Sequence, residues 1–512
     1  MPEAWKPGQS WQTDPDAAFV EAKRRISDCA DNRNNALYLA SLNLHRLPDE
    51  ISTLTWLREL RMSGGKHSDF TALAPLSELE LLEIGSLNCP FPGLEFMRGW
   101  TKLQSLNIIT PSAVDIAPVA SCTGLRRLNV NCYPHQIDLI NFEALAELRS
   151  VQSLVLRGMR SDKLDIVSQW TELTFIQMVS TNLTTLAGFE KLHRLEHLDV
   201  SDAPLSDISP IDGLPALKHL DVGGTQVSDL LSVRRLTHLE RLDIGDTSVA
   251  GLQPLEELAA WQREFRKSSD EQSPSPWPNT TGLKELIVSG SKVISLAAIA
   301  KIETLESLQL NDTSIVDLSP IHGHPALKRL YLARTAITDL GPRGSFKQLQ
   351  GLDVSETQVM NLKALEGTQG LFSLNITNTG ISDLSPLRPA RWCKGLSVRG
   401  SQVRDLALIL EVDTNSYDDH VSPNLDFRDT PLARSSERFA ALASLAEESG
   451  TKCFFETKAY LLEKDGKSPT ANKKVWKPVR PEPESDKSKA ARIVSRISLV
   501  VICVSLAYLI FG

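Results

Sequence analysis

Asp199, Asp221 and Asp243 stand 22 residues apart, and two residues before them stand His197, His219 and Arg241. Imidazole beside carboxylate can move a proton, ligate a divalent metal, or hold charge for a cationic partner. The spacing narrows the choice. Side chains that recur at one interval occupy the same place in successive copies of a unit, about 4.8 Å apart if each copy supplies one strand of a sheet. Carboxylates stacked that closely repel one another, so the adjacent His and Arg, or a basic partner, relieve the strain. A solvated acidic ladder is the plainer reading, and contact with a protein partner the sharper one. A metal held by His197, His219 and Asp221 is geometrically conceivable, but no ligand-spacing motif supports it and none is assigned.

Other chemistry is missing from the sequence. No HExxH, GxSxG, GxGxxG or GxxxxGK(S/T) pattern occurs, so zinc-hydrolase, serine-hydrolase and nucleotide-binding motifs are absent. Gly64-Gly65-Lys66 lacks the first glycine and the strand-to-helix setting of a phosphate loop. His193 and His197 form an HxxxH pair, which repeat periodicity explains more simply than a metal. No catalytic residue, cofactor or small-molecule substrate is therefore expected. The 63 acidic and 55 basic residues leave a net charge of -8, which argues against nucleic acid, whose binding needs a dense basic surface. The 7 cysteines are scattered and never spaced CxxC; they suggest neither a disulfide framework nor a zinc site and fit a reducing compartment.

What positions the aspartates is a repeat. The pattern LxxLxL opens at Leu57, Leu79, Leu103, Leu125, Val151, Leu173, Leu195, Leu217, Leu239, Leu283, Leu305, Leu327, Leu349, Leu371 and, degenerately, Cys393, mostly at intervals of 22 residues. The fuller consensus is LxxLxLxxTx(I/V)xDLxPLxxL, as in residues 217–236. The LxL core predicts a short strand with alternate side chains inward, and Pro blocks a regular helix on the outer side. No unit can bury its apolar faces alone, so the units are expected to stack into an α/β-type solenoid with parallel strands lining a concave surface. Threonine at the ninth place (Thr181, Thr225, Thr247, Thr313, Thr335, Thr357, Thr379) is expected to satisfy backbone groups as a hydroxyl ladder. Asp207, Asp229, Asp317, Asp339 and Asp383 are expected to bind amides at the start of the outer segment.

These residues resemble the leucine-rich repeat family, and the TxIxDLxPL half resembles its 22-residue, internalin-like class; the resemblance covers roughly residues 34–430. The opening unit (Leu37, Leu39, Leu42, Leu44, Leu47, Pro48, Ile51, Leu54) is similar to the LPxxI repeats of bacterial Roco-type proteins, without their phosphate loop. The resemblance implies a horseshoe or arc that binds protein partners. With about 17 strand-forming units the inner arc would run about 75 Å. Its candidate contacts are the six residues above together with Phe175, Arg329, Tyr331 and Arg334, aromatic and arginine side chains of the kind enriched in binding hot spots.

The expected domains are a helical cap over residues 1–33, in which Asp14-Pro15 starts a helix burying Phe19, Ala22, Ile26 and Cys29, and the solenoid over 34–432. An insertion at 259–282 interrupts the stack. There Trp261 and Phe265 share a helix face and are expected to pack locally, while Trp277, between prolines, is the expected contact residue. A last strand around Leu425 and a helical cap within 433–463 would close the far end, followed by a flexible basic linker over 464–491.

Residues 492–512 are expected to form a transmembrane helix. From Ile493 the stretch has 20 residues with Arg496 as its only charge, about 30 Å of helix, one bilayer core. Its anchoring side chains are Arg496, Ile497, Leu499, Val501, Val504, Leu506, Leu509 and Phe511. The basic residues Lys487, Lys489 and Arg492 just before it place the repeats in the cytoplasm, and the resemblance to bacterial repeats suggests a bacterial inner membrane. The expected function is a membrane-tethered, non-enzymatic scaffold. The alternatives are a sensing subunit of a separate GTPase or hydrolase and an extracellular adhesin, against which the lack of a signal-like N-terminus counts.

Overall fold

The computed structural model describes residues 10–66, 69–86, 90–132, 136–161, 164–269, 282–368, 370–387, 395–404, 424–426, 428–431, 452–454 and 459–460, all within the compact unit Met1–Leu462. The basic linker and the eight anchoring side chains of the C-terminal stretch, Trp277, and most of the helical cap expected within 433–463 lie outside the described residues, while 452–454 and 459–460, inside that expected cap, are strands instead. Among the described residues no helix is long and apolar enough to cross a membrane.

The first helix, α1 (Pro15–Asp31), starts where Asp14 accepts hydrogen bonds from the Asp16 and Ala17 amides and Pro15 fixes the first turn. Its buried face is Ala18, Ala22, Ile26 and Cys29. Phe19, expected on that face, is half-buried at its edge beneath the Arg46 guanidinium, 4.4 Å from the ring centroid.

After α1 the described residues build one 19-stranded sheet. Each repeat contributes one strand, and every pairing is parallel until Lys452–Phe454, against which Ala459–Tyr460 runs antiparallel. The ladder thus continues past Leu425, the expected last strand, and its final edge is covered by an antiparallel partner. Register follows the leucines: Leu198 pairs with Leu220, Leu220 with Leu242, and Leu242 with Leu286. These four side chains are buried, and each contributes about 2 kcal/mol by leaving water. The outer segments are short 3-10 turns such as Ser209–Ile211 and Ser319–Ile321, whose proline stands where no amide hydrogen is needed.

Two kinds of repeat are joined end to end. Up to Phe175–Val179 most strands run five residues; from His197–Asp199 to Lys452–Phe454 they run three. In the second kind the residue before the ladder threonine has positive φ (Gly224 +71°, Asp246 +53°, Asp312 +58°), which turns the chain out of the sheet. The threonine hydroxyls then donate to the carbonyl three residues back at 2.6–3.1 Å, from Thr181 to Thr379. Asp207, Asp229, Asp317, Asp339 and Asp383 each accept an amide two residues on at 2.7–3.1 Å. Both series therefore hold the repeat together. Among the longer early repeats, a small second ladder joins Val114–Asp115 to Leu139–Ile140 and Ile137–Asp138 to Met159–Arg160.

The insertion does not break the sheet. Arg241–Asp243 pairs directly with Glu285–Ile287, so the long interval is one repeat whose outer segment carries a second helix, α2 (Pro254–Ser269). Leu255, Leu258, Ala259 and Gln262 form its buried face, while Trp261 is 48% exposed. This corrects the expectation that Trp261 packs locally: positions i, i+3, i+4 and i+7 from Leu255 share one stripe, and Trp261 falls beside it. The side chain of Phe265 lies outside the described residues.

Candidate functional site

Strand-face side chains fall into columns set by their place in LxxLxL. The third place gives Phe175, His197, His219, Arg241 and Glu285; the fifth gives Gln177, Asp199, Asp221, Asp243 and Ile287. In the first column the Phe175 and His197 rings stack with centroids 4.3 Å apart and planes 7° from parallel. His197 meets His219 edge-on, the two Nδ1 atoms 3.2 Å apart. Arg241 forms an ion pair with Glu285.

The second column is a hydrogen-bonded chain. Arg157 Nε donates to Gln177 Oε1 at 3.0 Å, and Gln177 Nε2 donates to Asp199 Oδ2 at 2.8 Å. Asp199 Oδ1 accepts from the Ser201 amide at 3.0 Å and hydroxyl at 2.7 Å. Asp221 and Asp243 accept the amides of Gly223 and Gly245, both at 2.9 Å. Each aspartate thus commits one oxygen to forming the turn after its strand. Asp353 does the same with the Ser355 amide at 2.8 Å, so the fifth-place acid has a structural duty along the solenoid. That duty is not marked by residue type, because the groups the aspartates accept are backbone amides.

Electrostatics set the middle of the column apart. Burial, reinforced by the charges of Asp243 and Asp199, raises the Asp221 carboxyl well above the ordinary carboxylate range. Burial depresses His197 to about 4, with Asp199 opposing and the His219 and Arg241 charges adding to the fall. His219 is lowered by burial and then by Arg241. Burial works against the Arg241 charge, but Glu285, Asp243 and Asp221 more than offset it. Burial also lowers Arg157, which Asp199 partly opposes.

The remaining candidates do not join this cluster. Arg329 is exposed and Tyr331 half-buried on a strand further along, where burial raises the phenol. Arg334 leaves the strand face altogether: it occupies the left-handed turn at φ +55° and donates to both oxygens of Asp312 at 2.6 and 2.8 Å. The neighbouring rim column, not among the sequence candidates, pairs Lys218 with Glu196 at 2.8 Å, Lys284 with Glu240 at 3.1 Å and Lys328 with Glu306 at 2.9 Å. Among the described residues no group of three His, Cys, Asp or Glu side chains could hold a metal ion.

No family model and no curated protein matches the chain. Solved structures do. A leucine-rich-repeat protein of Leptospira interrogans is 18% identical, with a TM-score of 0.60 over 85% of this chain and 98% of that one. The functional domain of InlJ from Listeria monocytogenes is 18% identical at a TM-score of 0.51, covering 75% and 76%. An internalin from the same organism is 19% identical at 0.50, covering 70% and 94%. With one LxxLxL strand per repeat in a continuous parallel ladder, and with these structures as its likenesses, the chain has the leucine-rich-repeat fold.

Proposed function

We propose that this chain is a non-enzymatic recognition scaffold that takes a basic segment of a protein partner on its strand face and is held at a membrane by residues 493–512, with the repeats in the cytoplasm. The observation that carries the docking site is the stack of Asp199, Asp221 and Asp243 on adjacent strands, with Asp221 raised by burial and by its two neighbours. The rim column of the same repeats matches Glu196 with Lys218 and Glu240 with Lys284. In these three repeats the fifth place holds aspartate each time, and Arg241, in the third place of the last of them, is shared with Glu285. A cationic side chain laid across the column would lower the repulsion and ionise Asp221. The membrane tether rests on sequence: 20 residues with one charge, preceded by basic residues.

Binding of a fluorescent lysine-serine decapeptide to the full chain in detergent tests the site. Replacing Asp199, Asp221 and Asp243 together by Asn keeps an acceptor for each turn amide and is expected to weaken binding at least about tenfold, about 1.4 kcal/mol. Equal affinity would remove the acidic site and leave only the scaffold. The tether is tested by alkaline extraction of membranes from cells making the full chain or a version lacking residues 493–512. Only the full chain should resist extraction, with its repeats cut by protease from the cytosolic side alone; two soluble versions would end the tether.

A further inference from the structure

The Nδ1 atoms of His197 and His219 face each other at 3.2 Å. A contact of that length between two imidazole nitrogens holds when one carries hydrogen and the other offers a lone pair. One proton along the line joins the rings, whereas a second would set N–H against N–H and charge against charge. The rings have little room to evade this. Phe175 is stacked flat against His197 on one side, and Arg241 stands on the strand beyond His219 on the other.

We propose that the His197–His219 contact is a proton-gated latch on the strand face, in which a second proton parts the rings, turns imidazolium charge onto the aspartate column and releases a bound basic segment. The release step rests on the proposed docking site; the latch does not. Charged and titratable groups surround the pair on every packed element. Asp199 lies on the strand of His197, and Asp221 on that of His219. Beyond them lie Arg241 and Asp243 on the next strand and Glu285 on the one after. Arg157 lies on the strand before that of Phe175, against Gln177, and Glu196, Lys218 and Glu240 lie along the rim. The nearest acids, Asp199 and Asp221, are where displaced imidazolium charge would settle.

Burial already opposes charge on both rings. Their folded-state values are depressed, so the stability they contribute is complete above the unfolded value near 6.5 and is lost as pH falls from there towards about 4. The latch therefore opens at the acid end of that window, as pH falls through about 4.

The test is a titration of the full chain with isotopically labelled histidine, followed by NMR from pH 8 to 3. His197 and His219 should take up protons in two separated steps. In His219→Asn, the single remaining step of His197 should lie about a unit above the lower step of the wild type; His197→Asn should do the converse for His219. Independent titration, with each ring unmoved by removal of the other, would overturn the latch. Binding of the lysine-serine decapeptide at pH 7.5 and pH 4 then tests release. The wild type should lose affinity at least about tenfold more than the double Asn variant, whose residual loss reports protonation of Asp221. Equal losses would overturn release. A peptide that binds at neither pH overturns the basic-segment reading and with it release, while the two-step titration still decides the latch.

Discussion

Gly85→Ala is expected to lower the stability of the repeat array by about 3 kcal/mol or more, as measured by urea unfolding followed by circular dichroism. Gly85 ends the strand Leu81–Gly85 at φ +101°, a conformation that L side chains rarely adopt. It pairs with Ile109 on the next strand. A methyl group there would drive deep into the Ile109 carbonyl oxygen, which is backbone and cannot swing aside. Gly99 supplies the comparison, since its φ is +86° but a Cβ would meet nothing within 4 Å. Gly99→Ala should cost only the backbone strain, about 1 kcal/mol. If the two substitutions cost the same, close strand approach is not what requires glycine at position 85. Because each repeat is stabilised by its neighbours, the damage should spread to adjacent strands rather than stay at one residue.

Gln262→Leu is expected to cost about 2–5 kcal/mol although it replaces an amide with a hydrocarbon in the interior. Gln262 is 1% exposed; its Nε2 donates to the Leu239 carbonyl at 2.8 Å and its Oε1 accepts the Leu283 amide at 3.0 Å. In regular repeats the amide of the opening leucine is taken up by the preceding 3-10 turn, as Leu195 bonds to the Leu192 carbonyl. Before Leu283 that place is reached from α2, and the Gln262 side chain closes the gap. Leucine would leave both backbone groups buried and unpaired. Trp261→Ala next to it should cost less, about 1 kcal/mol, because half of the indole stands in water. The reverse order in thermal unfolding would restore the packing role for Trp261 that its residue type suggests.

These two neighbours show where sequence sufficed and where it stopped. The period-22 leucines translate directly into strand register, since equal spacing makes Leu198, Leu220 and Leu242 partners. The helical character of α2 was legible from its residues as well. Its orientation was not: a tryptophan outranks a glutamine for burial on composition, and the backbone groups that need Gln262 come together only when two repeats stack. The aspartate stack was legible as a stack, but not the commitment of one oxygen of each acid to a turn amide. Arg334 was misplaced for a related reason. The left-handed turn position accepts Asp, Gly, Arg, Glu and Asn in different repeats, so no residue type marks it.

The alternation of Glu196, Lys218, Glu240, Lys284, Glu306 and Lys328 along the rim makes two repeats, rather than one, the natural unit of inheritance. Loss or duplication of a single repeat would keep every leucine in register yet bring two like charges side by side on adjacent strands, which destabilises the pair. Loss or duplication of two restores the alternation. A lineage of such chains should therefore lengthen and shorten in this stretch by even steps.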